Sequence, residues 1–387
     1  MKHLPVLDGV RGLAIVSVLI LHFFANITAT NTAEKVVAKL ASYGGEGVTL
    51  FFVLSGFLIS SILLASKSQP FFFKNFYMRR VLRIFPLYYG TLIVGLLLLP
   101  SAWLPESMAT TREHQAWLWT YGTNFYVAWQ GKWEALPYFS HFWSLAVEEH
   151  FYFVWPLLVF YLREKTLVRV ALGVMAFALF LRLGLIAAGL GEMPGYVLTP
   201  TRADGLCFGG LLAVKARQPE GLAALRRPLF FAAVGTAVYA VLGYAVVSAV
   251  PALKLYYIEL RQTGVVLTLG GMLVWALTSP ASALQVRFFD NRVMRWFGKY
   301  SYGLYVFHVM VSWHVIHEKY EDKLTEALGS HSLAVLAHAS GSLAVSMAVA
   351  WLSFHLFEKH FLKLKVRFET KHGAAPAQKA AQASEVS

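Results

Sequence analysis

Charged side chains are scarce in this 387-residue chain: Asp, Glu, Lys and Arg together make up 14% of it, against about 25% in soluble domains. With 57% hydrophobic residues beside them, this excludes an ordinary soluble protein and indicates a polytopic membrane protein. Cysteine is scarcer still. The single Cys207 excludes an intramolecular disulfide and leaves the redox compartment open. Acidic residues are also few, 21 against 34 Lys and Arg. No basic run interleaved with aromatics marks a nucleic-acid surface, and in a membrane protein excess Lys and Arg report topology. No GxSxG, HExxH or phosphate-loop pattern occurs, and no His, Cys or carboxylate set has zinc-ligand spacing.

Long apolar runs are what the chain has instead. Windowed apolarity predicts an all-α transmembrane bundle of ten spans, near 10–28, 47–65, 85–101, 144–162, 168–190, 203–216, 229–250, 261–279, 300–316 and 333–357. Ten crossings put 24 of the 34 basic residues on one side, which the positive-inside rule makes cytoplasmic together with both termini. Residues 116–129 read as interfacial. The longest loop, 102–143, then lies outside and carries Trp103, Trp117, Trp119, Trp129, Trp133 and Trp143. They form either a headgroup-level aromatic belt or a platform for stacking on sugar rings. Residues 1–360 read as one transmembrane domain, and 361–387 as a basic, then disordered, cytoplasmic tail.

The first span holds the most informative residue, His22, preceded by Arg11. An ionisable group inside such a segment is costly and is a functional candidate by default. Eleven residues make three helical turns, so Arg11 and His22 share a face about 16 Å apart. Asp8 falls in the same register, an arrangement a removable leader does not need.

Further clusters follow. In FYMRRVLRIFPLYY (76–89), Arg79, Arg80 and Arg83 face together on a helix. Guanidinium groups grip phosphate bidentately, although a stop-transfer or anionic-lipid contact explains them too. In HFWSLAVEEHFYFVWPLL (141–158), Glu148 and Glu149 enter an apolar helix beside His141 and His150, and Ser144, Glu148 and Tyr152 share a face. Helix-terminus charge would account for one glutamate more readily than two. In GGEGVTLFFVLSGFLIS (44–60), Ser55 and Gly56 read as helix packing. In KYSYGLYVFHVMVSWH (299–314), Ser301, Tyr305, His308 and Ser312 form a polar stripe. Arg202 and Asp204 are expected to pair with each other, and His355, Glu358 and His360 to be interfacial.

These motifs in this order resemble the acyltransferase-3 family of integral membrane O-acyltransferases. The matching stretches are LDGVRGLAIVSVLILH (7–22), GVTLFFVLSGFLIS (47–60), FYMRRVLRIFPLYY (76–89), WSLAVEEHFYFVWPLL (143–158), RADGLCFGGLLA (202–213), SYGLYVFH (301–308) and FEKHF (357–361). They cover nearly the whole chain. The resemblance implies transfer of an acyl group, often acetyl, from cytoplasmic acyl-CoA to a hydroxyl of an envelope glycan, lipid-linked sugar or exported small molecule. It implies His22 in the catalytic role with Arg11, Glu148 and Glu149. It places Arg79, Arg80 and Arg83 at the donor, and Asp8, Ser55, Ser144 and His308 in support. Acyl-CoA (acetyl-CoA) is then a co-substrate, with no bound cofactor or metal and no nucleic-acid partner. The location implied is the bacterial inner membrane. One departure stands out: the Gln usual after the two glutamates is His150 here. The rival reading is a proton-coupled transporter or flippase, since buried His, Arg and Glu also build proton relays.

Overall fold

The computed structural model describes residues 4–25, 27–101, 104–317 and 320–368. Trp103 and the tail from 369 onward lie outside the described residues. Among the described residues there is no strand, and ten helices run seventeen residues or more. They are α1 Pro5–Phe24, α2 Glu46–Ser66, α3 Phe72–Leu92, α4 Trp143–Tyr161, α5 Glu164–Ala187, α6 Thr199–Lys215, α7 Arg226–Ala249, α8 Lys254–Thr278, α9 Arg292–His317 and α10 His331–Ser353. Each coincides with one expected span.

Seven helical stretches, containing α1, α2, α3, α5, α7, α8 and α10, are long and apolar enough to cross a membrane. The other three are set apart by length or by charge: α6 has only seventeen residues, and all three carry charged side chains, buried on α6, partly buried on α4 and exposed on α9. Glu148 and Glu149 lie on α4, Arg202 and Asp204 on α6, and Arg292, Arg295 and Lys299 on the first turns of α9. Helix α3 begins at Phe72, well before the expected 85, because the arginine cluster continues the helix inward. Helix α6, at seventeen residues, is about 26 Å long.

Cross-helix contacts fix the direction of each helix. Gly12 lies against Met294 and Gly298 while Ser312 bonds the His22 carbonyl, so α1 and α9 run together. Thr49 meets Arg202 and Ser60 meets Trp155, so α2, α6 and α4 run together, and Gly47 against Ala14 and Ser17 sets them opposite to α1. Continued through the bundle, odd-numbered helices run one way and even-numbered helices the other. Helix α1 is held between α9 and α2, α2 between α1 and α6, and α5 backs α6. Helix α7 packs on α8 at the periphery.

These contacts are backbone to backbone. A Cβ on Gly56 would lie 1.9 Å from the Leu206 carbonyl oxygen, and one on Gly209 would lie 2.1 Å from that of Val53. Small residues allow such crossings, which matter in lipid because apolar burial does not favour helix pairing there. The residues 104–142 are not a simple loop. Short helices Met108–Glu113, Ala116–Trp119 and Thr123–Gln130 bury Leu118, Thr123, Asn124 and Val127 completely. The Tyr88 hydroxyl donates to the Leu118 carbonyl at 2.7 Å, and the Tyr89 hydroxyl to Trp119 at 3.2 Å. The segment read as interfacial is thus a folded cap on α3.

Gly56→Ala is expected to force α2 and α6 apart and cost about 1–3 kcal/mol by overpacking. Thermal unfolding in detergent checks this, with Gly173→Ala as control, since nothing lies within 4 Å of that position. Equal midpoints for the two variants would show that the crossing tolerates a methyl group.

Candidate active site

Arg11 on α1, Ser55 on α2, Arg80 and Arg83 on α3, Ser144, Glu148 and Glu149 on α4, and Ser301, Tyr302 and Tyr305 on α9 line one cavity of about 110 Å³. Tyr152 lines it as well, and apolar side chains including Phe51, Phe52, Leu58 and Ile84 form the rest of its walls. Spacings of three and four explain the convergence, since Arg80 with Arg83 and Ser144 with Glu148 each present one helix face. The Ser55 hydroxyl donates to Glu148 Oε1 at 2.6 Å. Arg11 bonds Asp8 at 3.5 Å. Among the described residues no ion pair within 4.0 Å joins these three arginines to these two glutamates. Arg80 Nε and Glu149 Oε1 are buried without a hydrogen-bond partner. Charged groups left unmatched inside a bundle are costly, which makes this cavity the candidate site.

Tyr305 forms the inner wall. Its hydroxyl donates to the His141 carbonyl at 2.8 Å, so the Ser144 hydroxyl, 2.5 Å away, donates to the Tyr305 oxygen. Behind this pair stands a cluster of three imidazoles. His22 meets His308 edge-on with ring centroids 4.8 Å apart, and His308 meets His141 at 5.3 Å. His308 Nδ1 donates to the Tyr305 carbonyl at 2.8 Å and His141 Nε2 to the Val306 carbonyl at 3.2 Å. His308 Nε2 and His141 Nδ1 have no hydrogen-bond partner. In the neutral rings these atoms are the acceptors. His22 itself is partly exposed.

Arg11, Arg80, Arg83, Ser55, Ser144, Glu148 and Glu149 therefore meet as expected. Arg79 does not line the cavity. His22 and His308 lie behind the Tyr305 wall, at the far end of the α1 stripe from Arg11. His141, read beside the glutamates, joins the histidines instead, because the turn Ser140–Phe142 aims it at α9. The expected Arg202–Asp204 pair is absent. Residues two apart on a helix do not face each other, and Asp204 Oδ2 pairs with Arg182 Nη1 at 2.8 Å while Arg182 Nε lies 3.2 Å from Glu259. Arg202 donates to Thr49 at 2.8 Å. Glu358, expected at the interface, is buried and accepts from Ser353 at 3.0 Å. His150 bonds the Thr199 hydroxyl at 2.7 Å, a structural contact.

The family model described as Acyltransferase domain matches residues 4–355. The chain belongs to the acyltransferase-3 family. It is 30% identical over 329 residues to the peptidoglycan O-acetyltransferase OatA of Listeria monocytogenes, covering 79% of this chain and 49% of the relative. It is 27% identical over 394 residues to the putative peptidoglycan O-acetyltransferase YrhL of Bacillus subtilis, covering 92% and 55%. With the O-acetyltransferase OatA of Staphylococcus aureus it shares 28% identity over 227 residues, 55% of this chain and 34% of that one. The chain thus spans about half the length of the first two relatives. No solved structure matches it. Membership and the seven apolar helices make it an integral membrane protein of the acyltransferase class.

Arg182 is fully buried between two carboxylates. Arg182→Met is expected to strand both and to cost about 3–5 kcal/mol, as removal of one partner from a buried ion pair does. Thermal midpoint and yield of folded protein measure it. Wild-type stability would mean that Asp204 and Glu259 are held by something other than Arg182.

Proposed function

We propose that this chain moves an acyl group, acetyl in the simplest case, from acyl-CoA to a hydroxyl of a cell-envelope glycan or lipid-linked sugar at the bacterial inner membrane. In this reading the ten long helices are ten crossings, and the basic loops and both termini are cytoplasmic. One observation carries it. Three guanidinium groups, two carboxylates and three serine hydroxyls meet in a single cavity that backs onto three histidines. Guanidinium forks suit the phosphates of CoA. In this reading the arginine-lined cavity holds phosphate of the donor, and the thin pantetheine arm passes Tyr305 to bring the thioester to His22. The relatives' names, which speak of peptidoglycan O-acetylation, support a glycan acceptor.

His22 is the base in this scheme. It takes the proton of the acceptor hydroxyl as the oxygen attacks the thioester carbonyl. The new C–O bond forms, the C–S bond breaks, and the proton passes to the leaving CoA thiolate. His308 and His141 hold the His22 ring, and Arg11 answers the donor's negative charge.

Proteoliposomes holding radiolabelled acetyl-CoA on one side and glycan acceptor on the other test the reaction. Release of free CoA in step with acceptor labelling is expected, whereas a transporter needs no acyl-CoA. His22→Ala is expected to lower turnover by 10²–10⁴-fold, the usual contribution of a general base, at unchanged protein level. Near-normal labelling would remove His22 from the mechanism. Arg80→Lys and Arg83→Lys are expected to weaken dependence on acetyl-CoA, because a point charge cannot reproduce a bidentate fork; unchanged dependence would leave only a topological role.

Sidedness is a separate test. Gln130 and Ser68 are exposed and lie at opposite ends of the bundle. In a Cys207→Ala background, Gln130→Cys is expected to react with an impermeant thiol reagent added to outer-permeabilised cells, and Ser68→Cys is not. The reverse pattern would falsify the orientation.

A further inference from the structure

A second cavity, of about 390 Å³, lies at the end of the bundle that holds His22. Tyr43 and Gly45 line it, and the adjoining Gly44 lies against Ser17 and Leu21 of α1. Its size falls within the range of small-molecule sites, about 300–1,000 Å³. Arg202 lines it as well, although only 1% of that residue is exposed. Its Nη2 donates to Thr49 Oγ1 at 2.8 Å. Thr49 also accepts from Gln262 at 3.1 Å and donates to Glu46 at 3.1 Å, so the guanidinium is held in place.

The rest of that guanidinium has no acceptor. Nε and Nη1 are buried without a hydrogen-bond partner. The rings of Tyr196 and Phe52 stand 5.1 and 5.5 Å away and favour the cation, but they offer no oxygen to its N–H groups. The neighbouring acids are engaged elsewhere, Glu46 by Arg261 at 3.3 Å and Glu259 by Arg182 at 3.2 Å. Thr49 takes only one of the two Nη2 hydrogens, so the other, together with Nε or with Nη1, leaves one bidentate edge open for a planar carboxylate or a phosphate. Around it, Tyr43, Tyr244 and Tyr257 supply aromatic surface, while Glu192 and Gln262 supply partners for hydroxyl groups.

We propose that this cavity binds a sugar bearing an anionic group, carboxylate or phosphate, with Arg202 gripping the anion. The proposal deepens the acyl-transfer reading by giving the acceptor its own site. The two cavities are neighbours. Phe52 faces Arg202 and also lines the first one, and Trp143 packs between Phe52 and Tyr196 at 6.1 and 5.3 Å. A sugar held at Arg202 is thus one aromatic layer away from the arginine-lined cavity.

Saturation-transfer NMR on the detergent-solubilised full chain tests it, with glucuronate, glucose 6-phosphate and glucose as probes and no acyl donor present. Transfer to one or both anionic sugars severalfold above glucose is expected, and their relative signals decide between carboxylate and phosphate. Arg202→Lys keeps the charge and loses the fork, so that preference is expected to disappear. Tyr244→Ala, at the exposed rim, is expected to weaken binding of every sugar without unfolding the protein. Equal transfer to all three sugars overturns the proposal, as does an unchanged preference in folded Arg202→Lys. If Arg202→Lys does not fold, undiminished binding by Tyr244→Ala overturns it instead. Because no donor is present, a failure of acyl transfer would count against the functional reading alone.

Discussion

Backbone contact between helices at glycine is the constraint on which the rest of the architecture depends. Helix α1 can place Arg11 beside α3 and His22 beside α9 only because its Gly9 and Gly12 lie directly on Phe289 and Met294, and Gly298 of α9 lies directly on its Asp8. Helices α2 and α6 cross in the same manner at Gly56 and Gly209. At such distances dispersion and Cα–H contacts accumulate along the crossing, and they substitute for the apolar driving force that lipid withholds. The polar side chains of α4 and α9 then fill what these crossings leave open.

The buried charges divide into two kinds. Arg182 is ion-paired with Asp204 and Glu259 and donates to Thr263, a network that ties α5, α6 and α8 together although Arg182 Nε makes no hydrogen bond of its own. Arg80, Glu149, Arg202, His141 and His308 each keep a buried polar atom without a partner. Fully matched networks rigidify, while partly matched ones carry a standing energetic cost. These five residues lie around the two cavities and the histidines between α1, α4 and α9, whereas Ser342 and Ser346 on α10 keep unpartnered hydroxyls elsewhere, so a missing partner alone does not mark a group kept for chemistry.

Much of this was legible in the sequence. Long apolar runs announced all ten helices, and the three- and four-residue spacings around Arg80, Arg83, Ser144 and Glu148 placed them on shared faces. The failures share a physical origin. Arg202 and Asp204 are two apart in a helix, so proximity along the chain misleads, and the true partner Arg182 comes from another helix. His141 precedes α4 by a single tight turn, whose direction no periodicity encodes. From its tryptophans alone the aromatic segment reads as a belt or a stacking platform, and that it also folds into short helices burying Leu118, Asn124 and Val127 was not legible. Non-local packing decided each of these, and pattern reading has no access to it.

The cap over α3 has a kinetic meaning. The Thr199 hydroxyl at the start of α6 bonds His150 on α4 at 2.7 Å and accepts from Asn124 in the cap at 3.0 Å. Thr111 donates to the Pro137 carbonyl at 2.9 Å, and Tyr88 and Tyr89 hold it from below. Lifting this segment would break bonds to α3 and α6 at once, a cost closer to sub-global unfolding than to loop opening. It is a fixed roof, so traffic into the bundle has to come sideways between helices or from the ends. Amide hydrogens of residues 116–130 should then exchange as slowly as those of the helices beneath.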